Sequence, residues 1–227
     1  MARTRPLPSV DWISWALLAV MVAVSAVAWS KVPDQLPVHW NLQGQADSFA
    51  SRDFALAVLP LVGAALMLLF WLLCRGLPVQ ESPRLTRAVR TLSRGVLGLF
   101  VVLHVAIVLA SLGGQISVPR VALGGSALLI VLVGLTMRSL PPDRVAGVRL
   151  PAGLAARPAW RSTHRLAAKL LITLGALTLA ASLLPVALQT GVLIVGLLAV
   201  AAVLVASMMR LKERALQSRS ADLAEDA

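Results

Sequence analysis

Six apolar stretches, each long enough to cross a lipid bilayer, constrain this chain more than any other feature of its sequence. A helix needs about 20 mostly apolar residues to cross the roughly 30 Å of hydrocarbon in a membrane. No stretch has Lys, Arg, Asp or Glu in its middle. The sequence therefore predicts an all-α protein, a polytopic membrane bundle of six transmembrane helices. The predicted spans are Trp12–Ser30, Phe54–Cys74, Gly95–Leu112, Val121–Met137, Leu166–Gln189 and Val192–Met209.

The composition agrees with a membrane protein and not with a soluble one. Of the 227 residues, 58% are apolar and 14% are charged, whereas soluble domains are nearer half apolar and a quarter charged. The formal net charge is +11, and a strongly basic balance is also found in proteins that bind nucleic acid. The placement of the positive charges decides between these two readings.

The Lys and Arg residues lie almost entirely on one side of the predicted membrane. Eighteen of the 21 fall in the N-terminus, the second and fourth loops and the C-terminal tail, and only Lys31, Arg52 and Arg120 fall elsewhere. The positive-inside rule places the basic segments in the cytoplasm. We therefore predict that both termini are cytoplasmic and that the charge faces anionic lipid, with no direct nucleic-acid partner.

The first apolar stretch has a rival interpretation as a cleaved signal peptide. Arg3 and Arg5 precede it, and Ala26-Val27-Ala28 resembles a cleavage site. We favour a retained span because the apolar run is long for a signal peptide and tryptophans lie near both of its ends, as in an aromatic belt. These are Trp12, Trp15 and Trp29.

The loop between the first two spans, residues 31–53, is long for a connection in a compact protein. It contains aromatic and turn-forming residues and is not of low complexity. We expect a folded extracytoplasmic cap that presents Trp40 and Phe49 at the membrane surface. Pro37 is expected to stiffen the entry to this cap, and Gly44 to allow a tight turn.

Two basic stretches are predicted to begin the third and fifth spans as helices. Their cations are Arg84, Arg87, Arg90 and Arg94 in the first and Arg157, Arg161, Arg165 and Lys169, at i+4 spacing, in the second. Such faces usually lie along lipid headgroups, where each cation contributes about 1 kcal/mol with anionic lipid. The sharper alternative for the second stripe is a docking surface for an acidic cytosolic partner.

Small residues and prolines within the spans predict close helix packing and two kinks. Gly, Ala and Ser let helix backbones approach in lipid, and they recur at residues 63–65, 124–126 and 175–176. Pro60 and Pro185 each lack a backbone N–H and are expected to kink the second and fifth spans.

Groups that carry catalysis are scarce. The common protease, hydrolase and nucleotide-binding motifs are missing from the sequence, and the lone Cys74 excludes an internal disulfide. The three histidines are predicted to lie outside, within and inside the membrane, so they cannot share one metal. His39 paired with Asp47 or Asp53 would form half a metal site, which is too few ligands for a tight one. We predict no catalytic residue, no cofactor and no metal.

His104 lies near the middle of the third span. An ionisable side chain inside a membrane is a functional hypothesis by default. We prefer a neutral imidazole hydrogen-bonded to a neighbouring helix, because desolvation favours the uncharged ring.

Two motifs carry more information than the composition. The first is Leu36-Pro37-Val38-His39-Trp40-Asn41, followed by Gly44, Asp47 and Ser51. It resembles a short bacterial membrane module of unknown function with a PxHWN signature. The second is Gly147-Val148-Arg149-Leu150-Pro151, followed by Trp160 and Thr163-His164-Arg165. It resembles the GxRxP, W and THR signature of the SdpI family, whose longer members carry both motifs.

The second motif departs from the family pattern at several positions. Asp143 stands where Asn is usual, Ala152-Gly153 replaces Trp-Thr, Ala156 replaces Ser and Ala168 replaces Gly. The skeleton of Gly147, Arg149, Pro151, Trp160, His164 and Arg165 is retained. We predict three parts: a two-helix module over residues 12–74, a four-helix SdpI-like module over residues 83–209 and a cytoplasmic tail over residues 210–227.

The resemblance implies a multi-pass protein of the bacterial cytoplasmic (inner) membrane that confers immunity to a secreted toxic peptide. The founding member of the family also signals, by holding a cytosolic repressor at the membrane once toxin is bound. The resemblance therefore implies the same kind of signalling here. The expected ligand-binding residues are those of the outer motif: Pro37, His39, Trp40, Asn41, Gly44 and Asp47. The expected cytoplasmic residues are Gly147, Arg149, Pro151, Trp160, Thr163, His164 and Arg165.

Two other functions remain open from the residues themselves. Six spans, two proline-bearing helices and His104 also suit a transporter or exporter of a small amphipathic compound, which would need a continuous polar cavity. The second alternative is a membrane enzyme, with or without a metal, built around His39, Asn41 and Asp47.

Overall fold

The computed structural model of this protein describes residues 11–41, 43–76, 83–138, 140 and 157–225. They form six helices and one two-stranded antiparallel sheet. The helices are α1 Trp12–Ala28, α2 Arg52–Gly76, α3 Pro83–Ser111, α4 Val118–Met137, α5 Arg157–Ala181 and α6 Val186–Glu225. The strands, β1 Gln35–Trp40 and β2 Ala46–Ser51, join α1 to α2. We call the end of the bundle that carries β1 and β2 the hairpin end, and the opposite end the basic end.

The predicted all-α bundle of six membrane helices is confirmed as a fold class. Five helices are long and apolar enough to cross a bilayer, and α1 is a shorter apolar helix of 17 residues. At 1.5 Å per residue, α1 spans about 26 Å, at the short end of what a membrane accepts. Its tryptophans are exposed near both of its ends, as an aromatic belt requires: Trp12, Trp15 and Trp29.

The helices pack as two neighbouring groups. Helices α1, α2 and α3 all contact one another, α3 also packs on α4, and α4, α5 and α6 follow as successive neighbours. The glycines predicted to allow close approach do so at two of these contacts. A Cβ on Gly63 of α2 would lie 2.9 Å from Met21 of α1 and 3.3 Å from Leu97 of α3. A Cβ on Gly175 of α5 would lie 2.7 Å from the carbonyl oxygen of Ala127 in α4.

The boundary between the last two helices differs from the prediction. The sequence places the end of the fifth span at Gln189, with a kink at Pro185, but α5 ends at Ala181 and α6 begins directly after Pro185. Proline has no N–H and fixes its φ angle, so it suits the start of a helix as well as a kink. Gln189 is buried in α6 and donates from Nε2 to the carbonyls of Ser182 and Leu184, which lie after the end of α5.

The loop between α1 and α2 folds as a β-hairpin, which the sequence analysis described only as a folded cap. Leu36 is fully buried and packs in an apolar cluster with Ala28 of α1, Leu56 of α2 and Val108 of α3. The hairpin is therefore fixed to all three helices of the first group.

Candidate functional site

The candidate site is the hairpin itself, and His39 and Asp47 form its polar pair. Nδ1 of His39 lies 2.6 Å from Oδ1 of Asp47, across the two strands. An ionised carboxylate only accepts hydrogen bonds, so Nδ1 carries the proton. In the neutral ring, Nε2 is then left as an acceptor. Both side chains are exposed, at 68% and 40%, so the pair is available to a ligand.

Asn41 and Gly44 build the turn of the hairpin. Oδ1 of Asn41 accepts hydrogen bonds from the backbone N–H groups of Gln43, at 3.0 Å, and Gln45, at 2.9 Å. Its backbone carbonyl accepts from Gly44 N–H. Gly44 has φ +79°, a region that glycine occupies without a steric cost. These two signature residues therefore set the geometry that brings His39 and Asp47 together.

The apolar side chains of the hairpin differ in exposure. Phe49 is 55% exposed and pairs in register with the half-buried Pro37 on the opposite strand. Val38 is also exposed, whereas Trp40 is half-buried. The pairing is irregular on both sides of His39, and such bulges re-aim side chains in a strand. The predicted presentation of aromatics at the surface thus rests mainly on Phe49.

A chain of polar and cation–π contacts at the base of the hairpin was missed by the sequence analysis. It joins four residues, which we call the collar: Trp29, Asp34, Arg52 and Asp53. The guanidinium of Arg52 lies 4.4 Å from the centroid of the Trp29 ring and 3.2 Å from Oδ1 of Asp34. Nε1 of Trp29 donates to Oδ1 of Asp53 at 2.7 Å. Asp53 is therefore used in the collar, and the alternative pairing with His39 is not formed.

The imidazole of His104 is bonded to a neighbouring helix, as the sequence analysis preferred. His104 is 1% exposed, and its Nε2 lies 2.8 Å from Oγ of Ser25 in α1. Val108, one turn along α3, belongs to the cluster that holds Leu36. His104 therefore lies below the hairpin, in the half of the bundle nearer the hairpin end.

At the basic end, α1 is tied to α3 by an ion pair. Nε and Nη2 of Arg94 donate to both carboxylate oxygens of Asp11, at 2.8–3.1 Å. Ser14 donates to the same carboxylate at 2.8 Å. Arg84 and Arg87 are exposed, as expected of a stripe that faces lipid headgroups. The side chain of Arg94 is 36% exposed and pairs with Asp11.

The described part of the cytoplasmic motif separates into buried and exposed residues. Thr163 and His164 are 1% and 3% exposed, whereas Arg165 is exposed. Arg161 and Lys169 are exposed as well, so three of the four cations of the predicted stripe are exposed along α5. The side chain of the fourth, Arg157, lies outside the described part. Trp160 lies in α5. Gly147, Arg149, Pro151 and the departures at positions 143, 152, 153 and 156 lie outside the described residues.

Two observations bear on the alternative functions. Among the residues that the structure describes, no three His, Cys, Asp or Glu side chains are grouped closely enough to hold a metal. A cavity of about 430 Å³ between α3 and α4 is lined only by glycine and aliphatic residues, so it does not supply the polar passage that a transporter needs. Its lining residues are Gly95, Gly98, Leu99, Val102, Gly125, Leu128, Leu129 and Leu132.

Comparison with known proteins matches two parts of the chain to protein families. Residues 139–209 match the SdpI/YfhL protein family, and residues 16–64 match a domain of unknown function (DUF1648). The chain is 22% identical over 163 residues to a protein described as immunity protein SdpI of Bacillus subtilis (strain 168). The matched region covers 72% of this chain and 76% of that relative. No solved structure matches the chain.

Proposed function

Because residues 139–209 match the SdpI/YfhL protein family and the chain is similar to a bacterial immunity protein, we propose that this multi-pass membrane protein confers immunity by binding a membrane-active toxic peptide at its hairpin. The relative from Bacillus subtilis is described as an immunity protein, and the finer role is our inference from the hairpin. The action proposed is binding and not catalysis.

The observation that carries this proposal is an exposed aromatic beside an exposed polar pair on a firmly anchored hairpin. Phe49 offers an apolar surface, and the pair of His39 and Asp47 offers hydrogen-bonding groups within the same two strands. An amphipathic peptide at the membrane surface has both kinds of group. Leu36 fixes the hairpin in the bundle, so a peptide would meet a preorganised surface, which lowers the entropy cost of binding.

A cell-survival assay with a matched pair of variants tests the proposal. The protein is expressed in a sensitive bacterium, which is challenged with membrane-active peptides, including those encoded in the genome of origin. Burying a Phe side chain is worth about 1.5–3 kcal/mol, so Phe49→Ser should weaken protection by about tenfold or more. Phe54→Ser is the control, because Phe54 is similarly exposed, at 58%, but lies on α2 outside the hairpin.

The two variants separate a binding surface from a membrane anchor. Protection that falls with Phe49→Ser and persists with Phe54→Ser supports the hairpin as the binding surface. Equal loss in both variants would indicate that these aromatics only seat the protein in lipid. Full sensitivity of cells that carry the unmodified protein, with every peptide in the panel, would remove the basis of the proposal.

The exposed cations of α5 favour a second part of the function, the recruitment of an acidic cytosolic regulator. Arg161, Arg165 and Lys169 lie on one exposed face near the basic end. An acidic protein surface is complementary to such a stripe, and so are anionic headgroups. A pull-down from cytosol with detergent-solubilised protein distinguishes an acidic protein partner from anionic lipid. The unmodified protein should retain a specific partner, and the R161E/R165E variant should lose it.

A further inference from the structure

Proline in α2 leaves one backbone carbonyl without its regular donor. In an α-helix, the carbonyl of residue 56 accepts from the N–H of residue 60. Residue 60 is Pro60, which has no N–H and lies inside α2. Leu56 is buried, and an unsatisfied buried carbonyl is costly, more so inside a membrane. The helix therefore needs an outside donor at this point.

The hydroxyl of Ser25, on α1, supplies that donor. Its Oγ lies 2.8 Å from the carbonyl oxygen of Leu56 and 3.0 Å from that of Met21. Met21 lies four residues before Ser25 in the same helix, so its carbonyl already has the backbone N–H of Ser25 as its donor. A serine has one proton to give. The carbonyl of Leu56 is the acceptor that lacks another partner, and we assign the proton to it.

This assignment fixes the role of His104. With its proton directed to α2, Oγ of Ser25 can only accept from Nε2 of His104, which lies 2.8 Å away. Nε2 therefore carries a proton. The result is a chain of two hydrogen bonds from α3 through α1 to α2, which we call the three-helix junction: His104, Ser25 and the carbonyl of Leu56.

The three-helix junction lies directly beneath the apolar cluster in which Leu36 of the hairpin is buried. Leu56 belongs both to the junction and to the apolar cluster around Leu36. Two other members of this cluster lie close to the junction in sequence. Ala28 of α1 lies three residues after Ser25, and Val108 of α3 lies four residues after His104. One turn of helix thus separates the polar junction from the apolar cluster. A change in the spacing of the three helices would therefore disrupt the cluster that buries Leu36.

We propose that His104 is a positioning residue for the hairpin. Through Ser25 and the carbonyl that Pro60 leaves unpaired, it holds α1, α2 and α3 at the spacing that keeps Leu36 buried. This role is independent of any ligand. It also explains why an ionisable side chain and an intrahelical proline occur at the same level of the bundle.

A double-mutant cycle with hydrogen exchange at the hairpin amides tests the junction in the full-length protein in lipid nanodiscs. Ser25→Ala should speed exchange of the hairpin amides by about tenfold or more, because it removes both hydrogen bonds of the junction, and loss of a single buried hydrogen bond changes an opening equilibrium by roughly tenfold. Pro60→Ala restores an N–H for Leu56. In that background Ser25→Ala should have a smaller effect, because only the hydrogen bond from His104 is then lost. This coupling between positions 25 and 60 follows from the shared carbonyl of Leu56.

Two further variants separate donation from packing. Glutamine places an amide N–H close to where Nε2 of histidine lies, so His104→Gln should keep exchange near that of the unmodified protein, and His104→Leu should raise it. Ser111→Ala is the matched control, because Ser111 lies on α3 near the hairpin and donates only to Ile107 in its own helix. It should leave the hairpin amides unchanged.

The inference is overturned if Ser25→Ala has the same effect with and without Pro60, or if His104→Leu leaves exchange of the hairpin amides unchanged. Equal acceleration in His104→Gln and His104→Leu would also overturn it, because donation would then be irrelevant. These readouts need no toxin. A failure of the survival assay would count against peptide binding and leave the junction standing, and the reverse also holds.

Discussion

At the scale of single residues, two polar pairs in this bundle join helices that are distant in sequence. Asp11 and Arg94 are 83 positions apart, and Ser25 and His104 are 79 apart. Both pairs join α1 to α3, one near each end of α1. The sequence identifies such residues as unusual for a membrane span, but it cannot pair them, because partner choice depends on the rotation of each helix about its axis.

The ion pair of Asp11 and Arg94 is expected to stabilise the bundle, unlike an exposed pair at the other end. Asp11→Asn should lower the free energy of unfolding by about 1–2 kcal/mol, because it weakens a bidentate, partly buried ion pair with Arg94. Asp34→Asn is the control, since the side chain of Asp34 is 92% exposed and exposed pairs contribute about 0–1 kcal/mol. Thermal unfolding in detergent measures both, and equal shifts would contradict this ranking.

The pH dependence of the same pair has a definite sign. Burial raises the pKa of Asp11, but hydrogen bonds from Arg94 and Ser14 and the charge of Arg94 outweigh burial, so the pKa lies below that of an ordinary carboxyl group. The contribution is therefore present above the pKa of the unfolded chain. It is lost as the pH falls through the lower pKa of the folded state. The difference in melting temperature between the unmodified protein and Asp11→Asn should shrink as the pH falls below about 4.

At the scale of secondary-structure elements, the helices could be predicted, but the boundary between α5 and α6 and the form of the first loop could not. Apolar length places all six helices, since each needs a long run of residues that tolerate lipid. The break at Pro185 was predicted as a kink because proline fits both a kink and a helix start, and the choice depends on whether Gln189 can reach the preceding carbonyls. The hairpin was expected only as a cap, because Pro37 and the irregular pairing obscure strand periodicity.

The contact of α4 with α5 is expected to fail when its glycine is enlarged. A Cβ on Gly175 would lie 2.7 Å from the carbonyl oxygen of Ala127 and 2.9 Å from the backbone nitrogen of Val131. Backbone atoms cannot move aside as side chains can, so Gly175→Ala should destabilise the protein by about 1–3 kcal/mol. Thermal unfolding in detergent is the measurement.

Gly191→Ala is the matched control for this contact. Gly191 lies in α6, and a Cβ there would meet no atom within 4 Å. Alanine favours a helix over glycine by up to about 1 kcal/mol, so this variant should be as stable as the unmodified protein or more stable. If both variants lose stability equally, the loss comes from helix geometry and not from the contact between α4 and α5.

At the scale of the whole molecule, the sequence marks the hairpin as a candidate site, but it does not show which of its residues are exposed and which form the turn. The order and spacing of His39, Asn41, Gly44 and Asp47 marked the hairpin. Only the structure separates the exposed pair of His39 and Asp47 from the turn-forming Asn41 and Gly44. The collar escaped notice because its four residues are ordinary individually and meet only once the hairpin folds back on α1 and α2.

The whole account depends on the hairpin facing the outside of the cell and the basic stripe facing the cytoplasm. The most direct test is cysteine labelling in intact cells with a maleimide that cannot cross the membrane. Cys74→Ser removes the native thiol, and single cysteines are then placed at Ser48 on the hairpin and at Arg161 on the stripe. The account predicts labelling at position 48 in intact cells and at position 161 only after lysis. Labelling of both positions in intact cells, of both only after lysis, or in the reverse pattern would contradict it.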